Sequence, residues 1–129
     1  MDYYIVDTHA FLWYLADSPK LSRKVKNIFD SIDAGDAIAI LPAIVLLECI
    51  DILDKKKVEL KFEEIALRIS HASNFILSEI DWALILEVNR IKGLKDLHDR
   101  IIIATAFLFD CAIVSKDNLI RNFYPKTIW

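Results

Sequence analysis

A single α/β domain with a parallel sheet covered by helices on both faces is the fold this sequence predicts, on three observations. Short, wholly apolar runs alternate with longer segments of helical pattern. Strands buried on two faces, with their crossover helices, read this way. Only two glycines and three prolines punctuate 129 residues, so connections are short. Hydrophobic residues make up 55% of the chain and mean hydropathy is +0.34. The elements are therefore expected to be buried nearly all round, with a surplus for a protein interface. The length suits one domain over residues 1–129, whose core needs neither disulfide nor structural metal.

The elements follow in order. "YYIV", Tyr3 to Val6, is aromatic and β-branched and predicts a strand. "HAFLWYLA" predicts a short helix. Ser22 is a cap for "RKVKNIFDSIDA", a helix that stops at Gly35. "AIAIL", Ala37 to Leu41, is a second buried strand, and Pro42 suits the first turn of the helix "AIVLLECIDILDKKK". The charge run "DKKKVELK" reads as a solvated helix end or turn. "FEEIALRISHAS" is an amphipathic helix, and "FILS", Phe75 to Ser78, a short strand. Asp81 caps "WALILEVNRI", which ends before Gly93. "DRIIIATAFLF" is a helix apolar on nearly all sides, so its start is expected close to the sheet. "AIVS", Ala112 to Ser115, is a strand, and "KTIW" a last edge strand.

Composition excludes some functions. Formal net charge is −3, which argues against tight, non-specific DNA binding and leaves room for a cation-dependent enzyme with a small basic rim. Cys49 and Cys111 sit in apolar runs without ligand spacing and read as small buried hydrophobes of a reducing compartment. Asp2 and Asp7 break the first apolar run and no basic segment precedes it, so a signal peptide is not expected. The longest apolar runs fall short of a membrane span. The expected location is the cytoplasm, with no membrane partner.

Four acids carry the chemistry. Ligands of open α/β sheets bind at the carboxyl ends of the strands. Asp7 lies one residue past the first strand and Asp117 two past "AIVS", so both project from that edge. Each is also a possible helix cap. Glu48 has Ile44, Val45, Asp51 and Ile52 as helical neighbours, a mostly apolar face, and a carboxylate buried there must neutralise, pair or bind a metal. Asp99 begins its helix, where Asp96 competes for the capping role. Together the four repel one another unless a cation sits among them. Oxygen ligands without cysteine or paired histidines favour Mg²⁺ or Mn²⁺, held by Asp7, Asp99, Glu48 and Asp117. Such an ion can activate water against a phosphodiester. Relief of the repulsion by Asp7→Asn is expected to stabilise the metal-free fold.

These acids and their surroundings resemble the PIN-domain ribonucleases, in particular the VapC-type toxins of toxin–antitoxin pairs. The resemblance rests on "IVDTHAFLW", "LLECI", "DLHDRIIIATA" and "AIVSKD" followed by "FYPKTIW", and spans the chain. It implies a single PIN-like domain with a central parallel sheet flanked by helices. It further implies a Mg²⁺- or Mn²⁺-dependent endoribonuclease with Asp7, Glu48, Asp99 and Asp117 as catalytic quartet, silenced by an antitoxin. Ser115 falls where the family commonly has Thr or Ser before its last acid. Many relatives read H-x-D-P-x-D-R before the third acid. Here Asp96, Asp99 and Arg100 match, while Leu94 and Leu97 stand at the His and Pro positions.

Other residues complete the reading. Thr8 is a hydrogen-bond partner for a site acid or a cap. Arg100, Lys116 and Lys95, with Arg90 and Lys92, are candidates for a basic rim on the RNA backbone. His9 and His98 flank site acids and read as polar filling ahead of functional groups, and His71 as structural or exposed. Phe11, Trp13 and Tyr14 on the first helix read as core or dimer packing, with base stacking open to one exposed ring. The apolar surplus points to an interface, and the resemblance implies two users for it: a second copy of the chain, and an antitoxin whose apolar helix packs into a groove near the acids. Two alternatives stand beside the nuclease. One is a non-catalytic PIN-fold module that binds RNA or protein. The other is a Mg²⁺-binding receiver-like phosphoacceptor, disfavoured because Asp7 lacks a paired acid and "AIAIL" ends in Pro42.

Overall fold

The computed structural model describes residues 1–56 and 59–129. The chain runs β1 (Asp2–Val6), α1 (Thr8–Leu15), α2 (Arg23–Asp33), β2 (Ala37–Pro42), α3 (Ala43–Lys55), α4 (Phe62–His71), β3 (Phe75–Ser78), α5 (Trp82–Arg90), α6 (Leu97–Phe109), β4 (Ala112–Val114), α7 (Asn118–Phe123) and β5 (Thr127–Ile128). The five strands form one parallel sheet in the order β3-β2-β1-β4-β5, so "KTIW" supplies an edge strand as expected.

Alternation without polar interruption is what lets the central strands be covered on both faces. Ile5, Val6, Ala39, Ile40, Leu41, Ile113 and Val114 are all fully buried. Each of these isoleucine, leucine and valine side chains contributes roughly 1.5–3 kcal/mol by leaving water. Helix α6 packs on β1, β2 and β4 and buries Ile101, Ile102, Ile103, Ala104 and Ala106, which holds its start against the sheet. Cys49 and Cys111 are free and buried. Among the described residues, no helix is long and apolar enough to cross a membrane.

Local chemistry sets the element ends. The Ser22 and Asp81 side chains accept from the Val25 and Leu84 amides, capping α2 and α5 as read from the sequence. Gly35, with φ +82, turns the chain out of α2. Helix α6 begins at Leu97, two residues before the sequence reading, because Asp96 accepts from the Asp99 amide and wins the cap. Pro42 ends β2 and occupies the cap of α3 instead of its first turn. Helix α7 was not expected from the sequence: its six residues are too few for a clear period, yet Asp117 caps it firmly. Lys57 and Val58, within the charge run, lie outside the described residues.

All-round burial of α3 is not what the structure has. Only Val45 and Cys49 are buried on it, and Leu47 is 55% exposed. Helix α5 is more open still. It buries Leu84 alone and leaves Trp82, Ile85 and Leu86 in solvent.

Candidate active site

Strand order reverses direction at β1: β2 and β3 lie on one side, β4 and β5 on the other. The crevice of an open α/β sheet opens at such a reversal, beyond the carboxyl ends of the two strands that flank it. Here those strands are β1 and β4, and the residues that follow them are Asp7 and Ser115.

Asp7 is held from several sides. Its Oδ1 accepts from the Thr8 amide at 2.8 Å, and its Oδ2 from the Ser115 hydroxyl at 2.6 Å. His98 Nε2 stands 3.2 Å from Oδ1. The other ring nitrogen of His98, Nδ1, lies 2.8 Å from Glu48 Oε2, which also accepts from the Thr8 hydroxyl at 3.0 Å. One imidazole therefore bridges acids that are 41 residues apart in sequence. An imidazole that contacts two carboxylates at once is favoured in its doubly protonated form, with an N–H for each. Burial lowers the His98 pKa, but Asp7, Glu48 and Asp99 outweigh it and raise the group above its ordinary 6.5. Burial likewise pushes the Asp7 carboxyl up, and the bonds from His98, Ser115 and Thr8 together hold it below 3.8.

Asp99 is in the opposite position. It is 7% exposed, and no side-chain hydrogen bond reaches its carboxylate among the described residues. Loss of water, then the charges of Asp117, Asp96 and Asp7, push its pKa up to about 6, against a smaller opposing pull from His98. The repulsion expected on Asp7 thus falls on Asp99, and Asp7→Asn would remove a well-satisfied carboxylate. Asp117 keeps both roles open to it. It caps α7 through the Leu119 and Ile120 amides, and its own amide donates to Ser115 Oγ at 3.1 Å.

The fold brings Asp7, Glu48, Asp99 and Asp117 toward one edge of the sheet, with Thr8 and Ser115 behind them, both 1% exposed. Glu48 is less enclosed than its apolar neighbours suggested, with a third of its side chain in solvent. His98 was undervalued. The one available signal was its place beside Asp99 at a helix start, and nothing local showed that it reaches Asp7. Arg100 is not on the rim. Its guanidinium donates to the Val88 carbonyl at 2.8 Å and ties α6 to α5. Lys95 and Lys116 are exposed, and Lys116 lines an open cleft of about 330 Å³ with Asp7, His9, Trp13, Ser115 and Asp117.

The donor set suits a hard divalent ion: oxygen ligands, with one carboxylate buried and uncompensated. In the present side-chain positions the imidazole of His98 stands between two of the acids, and among the described residues no three ligand groups close on one point.

A PIN domain family model matches residues 4–124. The chain belongs to the PIN domain family. Solved structures agree on the fold. A toxin–antitoxin complex from Klebsiella pneumoniae is 17% identical, with TM-score 0.69 over 97% of this chain and 95% of that one. FitAcB from Neisseria gonorrhoeae is 16% identical, with TM-score 0.63 over 88% and 87%. FitAB bound to an IR36 DNA fragment is 15% identical, with TM-score 0.66 over 97% and 93%. No match was found among curated protein sequences. The sheet order also disposes of the receiver-like alternative, since that fold orders its strands 2-1-3-4-5.

Proposed function

We propose that this PIN domain is a Mg²⁺- or Mn²⁺-dependent endoribonuclease and the toxin of a toxin–antitoxin pair. PIN domains are nucleases as a family, and the structural neighbours include toxin–antitoxin complexes. The observation that carries the reading is the gathering of acids at the carboxyl edge of the sheet's switch point, where Asp99 is buried with no side-chain hydrogen bond to its carboxylate among the described residues and Thr8, Ser115 and His98 link Asp7 to Glu48 and Asp117. Asp7 and Asp99 would be the nearest ligands of the ion, with Glu48 and Asp117 completing the site. Bound there, a divalent cation supplies Lewis-acid activation of water and compensates charge on the phosphate.

The chain's own residues do the rest. Ser115 and Thr8 fix the orientation of Asp7, and Thr8 that of Glu48 as well. His98 offsets one of the two negative charges of the Asp7–Glu48 pair, and a divalent ion held there would offset both. Lys116 and Lys95 offer ammonium groups to the RNA backbone. Water as nucleophile, with the P–O3′ bond breaking and the 3′ oxygen leaving as a hydroxyl, leaves a 5′-phosphate and a 3′-hydroxyl.

Partners follow from the uncovered apolar surface. Trp82, Ile85 and Leu86 on α5 are exposed, and Ala83 and Leu84 of the same helix share an open cleft of about 390 Å³ with Leu108 and Phe109 at the end of α6, which together offer apolar surface suited to a second copy of the chain. Between α1 and α3, Leu12, Ala16, Ile52 and Leu53 line an apolar groove of about 190 Å³ that suits an antitoxin helix. An arginine from that helix, entering the acidic site, would pair with carboxylates and silence it. A second reading, a non-catalytic PIN module, has one observation on its side: among the described residues no three ligand groups converge on one point.

Brief induction of the protein in cells, with mapping of RNA ends, tests the proposal. New 5′-phosphate ends that disappear with Asp7→Asn are expected. Cuts bearing 2′,3′-cyclic phosphate would rule the mechanism out, and metal binding without cuts would favour the non-catalytic module.

A further inference from the structure

Trp13 lies on α1 one turn after His9, and its indole is only partly covered, whereas Phe11 on the same helix is fully buried. Trp129 meets the indole edge-on with ring centroids 5.6 Å apart, and His9 is tilted against it at 5.7 Å. The ammonium groups of Lys20 and Lys116 lie 5.5 and 5.8 Å from its centroid. Both lysines are exposed. Trp13 also lines the cleft that holds Asp7, Ser115 and Asp117.

A ring that served packing alone would be covered by apolar side chains. This one is braced at its edge by another tryptophan and attended by two cations that solvent can reach. We propose that Trp13 is a stacking platform for one unpaired base of a single-stranded RNA, seated beside the phosphate that water attacks at the acidic site. A flat base displaces an ammonium from the indole, and the freed lysine pairs with an adjacent phosphate. Stacking is indifferent to base identity, so the platform selects for an unpaired strand before it selects a sequence. A base locked in a duplex cannot reach it. The inference rests on the nuclease reading and names the substrate class of that site.

The test is fluorescence anisotropy of a labelled, unstructured oligouridylate with the full chain in EDTA, where nothing is cut. Trp13→Ala is expected to weaken binding by about tenfold, and Trp13→Phe to keep most of it, as stacking on an aromatic face requires. Replacing Lys20 and Lys116 together by Gln should flatten the salt dependence of binding, because fewer counterions are released. Trp13→Ala affinity equal to the parent's would overturn the platform. So would equal losses in Trp13→Phe and Trp13→Ala with both variants folded by circular dichroism. If oligonucleotide binding survives Trp13→Ala while co-purification of a partner protein is lost, the platform is likewise overturned and Trp13 belongs to protein docking. Cleavage with Mn²⁺ is scored separately. A parent that binds with this Trp13 dependence and cuts nothing removes the nuclease but not the platform, and the converse result removes the platform alone.

Discussion

The two ends of the sheet are built from similar residues and do different things. At the amino ends of β1, β4 and β5, Asp2, Tyr3, Asp110 and Lys126 line the larger cavity, about 410 Å³. Its acids stay in water. Asp110 is 95% exposed, and Lys126 approaches it only to 3.7 Å. At the carboxyl ends the open cleft is smaller, and two of the acids there, Asp7 and Asp99, have lost most of their water. Asp7 is held by three groups, while Asp99 is buried beside like charges. Cavity size does not distinguish the two ends. The cost of keeping a carboxylate ionised does, and only the carboxyl end gives a cation something to stabilise.

Several changes break or sharpen this contrast. The largest effect is on turnover. Asp7→Asn should lower RNA cleavage by at least roughly a thousandfold, about 4 kcal/mol of transition-state stabilisation, whereas Asp110→Asn should leave it within about twofold. Single-turnover assays on one RNA compare the two. Next, Ile102→Ala opens a cavity in the layer under the site, since that side chain is fully buried. A loss of about 3 kcal/mol in urea unfolding is expected, with turnover per folded molecule retained.

Smaller effects concern charge. Asp99 has its folded pKa raised to about 6 from 3.8. A carboxyl raised in this way contributes stability below its unfolded pKa and loses it as pH rises through the folded one. At pH 7 Asp99→Asn should therefore stabilise the metal-free protein, by on the order of 1 kcal/mol once solvent screening is allowed for. The gain should shrink as pH falls toward 4, and destabilisation at pH 7 would contradict the assignment. His98→Ala runs the other way. The depressed Asp7 pKa gives stability that is present above 3.8, and the raised His98 pKa gives stability that is lost as pH climbs beyond 6.5. Thermal melts should show the variant weakest between those limits, by about 1 kcal/mol, and closer to the parent at higher pH. Smallest of all, Lys126→Ala at the amino end should move stability by no more than about 0.5 kcal/mol, as exposed ion pairs do.

What the sequence revealed divides along the same line. Much of the local signal was legible. Apolar runs marked β1 to β4, and Ser22 and Asp81 each cap a helix through neighbouring amides, whereas α7 behind its Asp117 cap was too short to show a period. The rule that ligands sit past strand ends put Asp7 and Asp117 at one edge without any coordinate. Contacts across the chain were not legible. The reach of His98 to Asp7 spans 91 residues and depends on where α6 begins, a boundary decided between Asp96 and Asp99 by one hydrogen bond. Arg100 looked like a rim cation because its charge is visible in sequence, while its acceptor, a backbone carbonyl on α5, is not. Helix α3 looked buried because apolar content does not say how much partner surface exists to cover it.

The central claim is that the carboxyl edge, and not the amino edge, concentrates charge that a divalent cation relieves. Titration calorimetry with Mn²⁺ tests it most directly, on the parent, Asp7→Asn and Asp110→Asn at matched pH and salt. Binding that persists in Asp110→Asn and is strongly weakened in Asp7→Asn is the expected result. Equal Mn²⁺ binding by the parent and Asp7→Asn would contradict it.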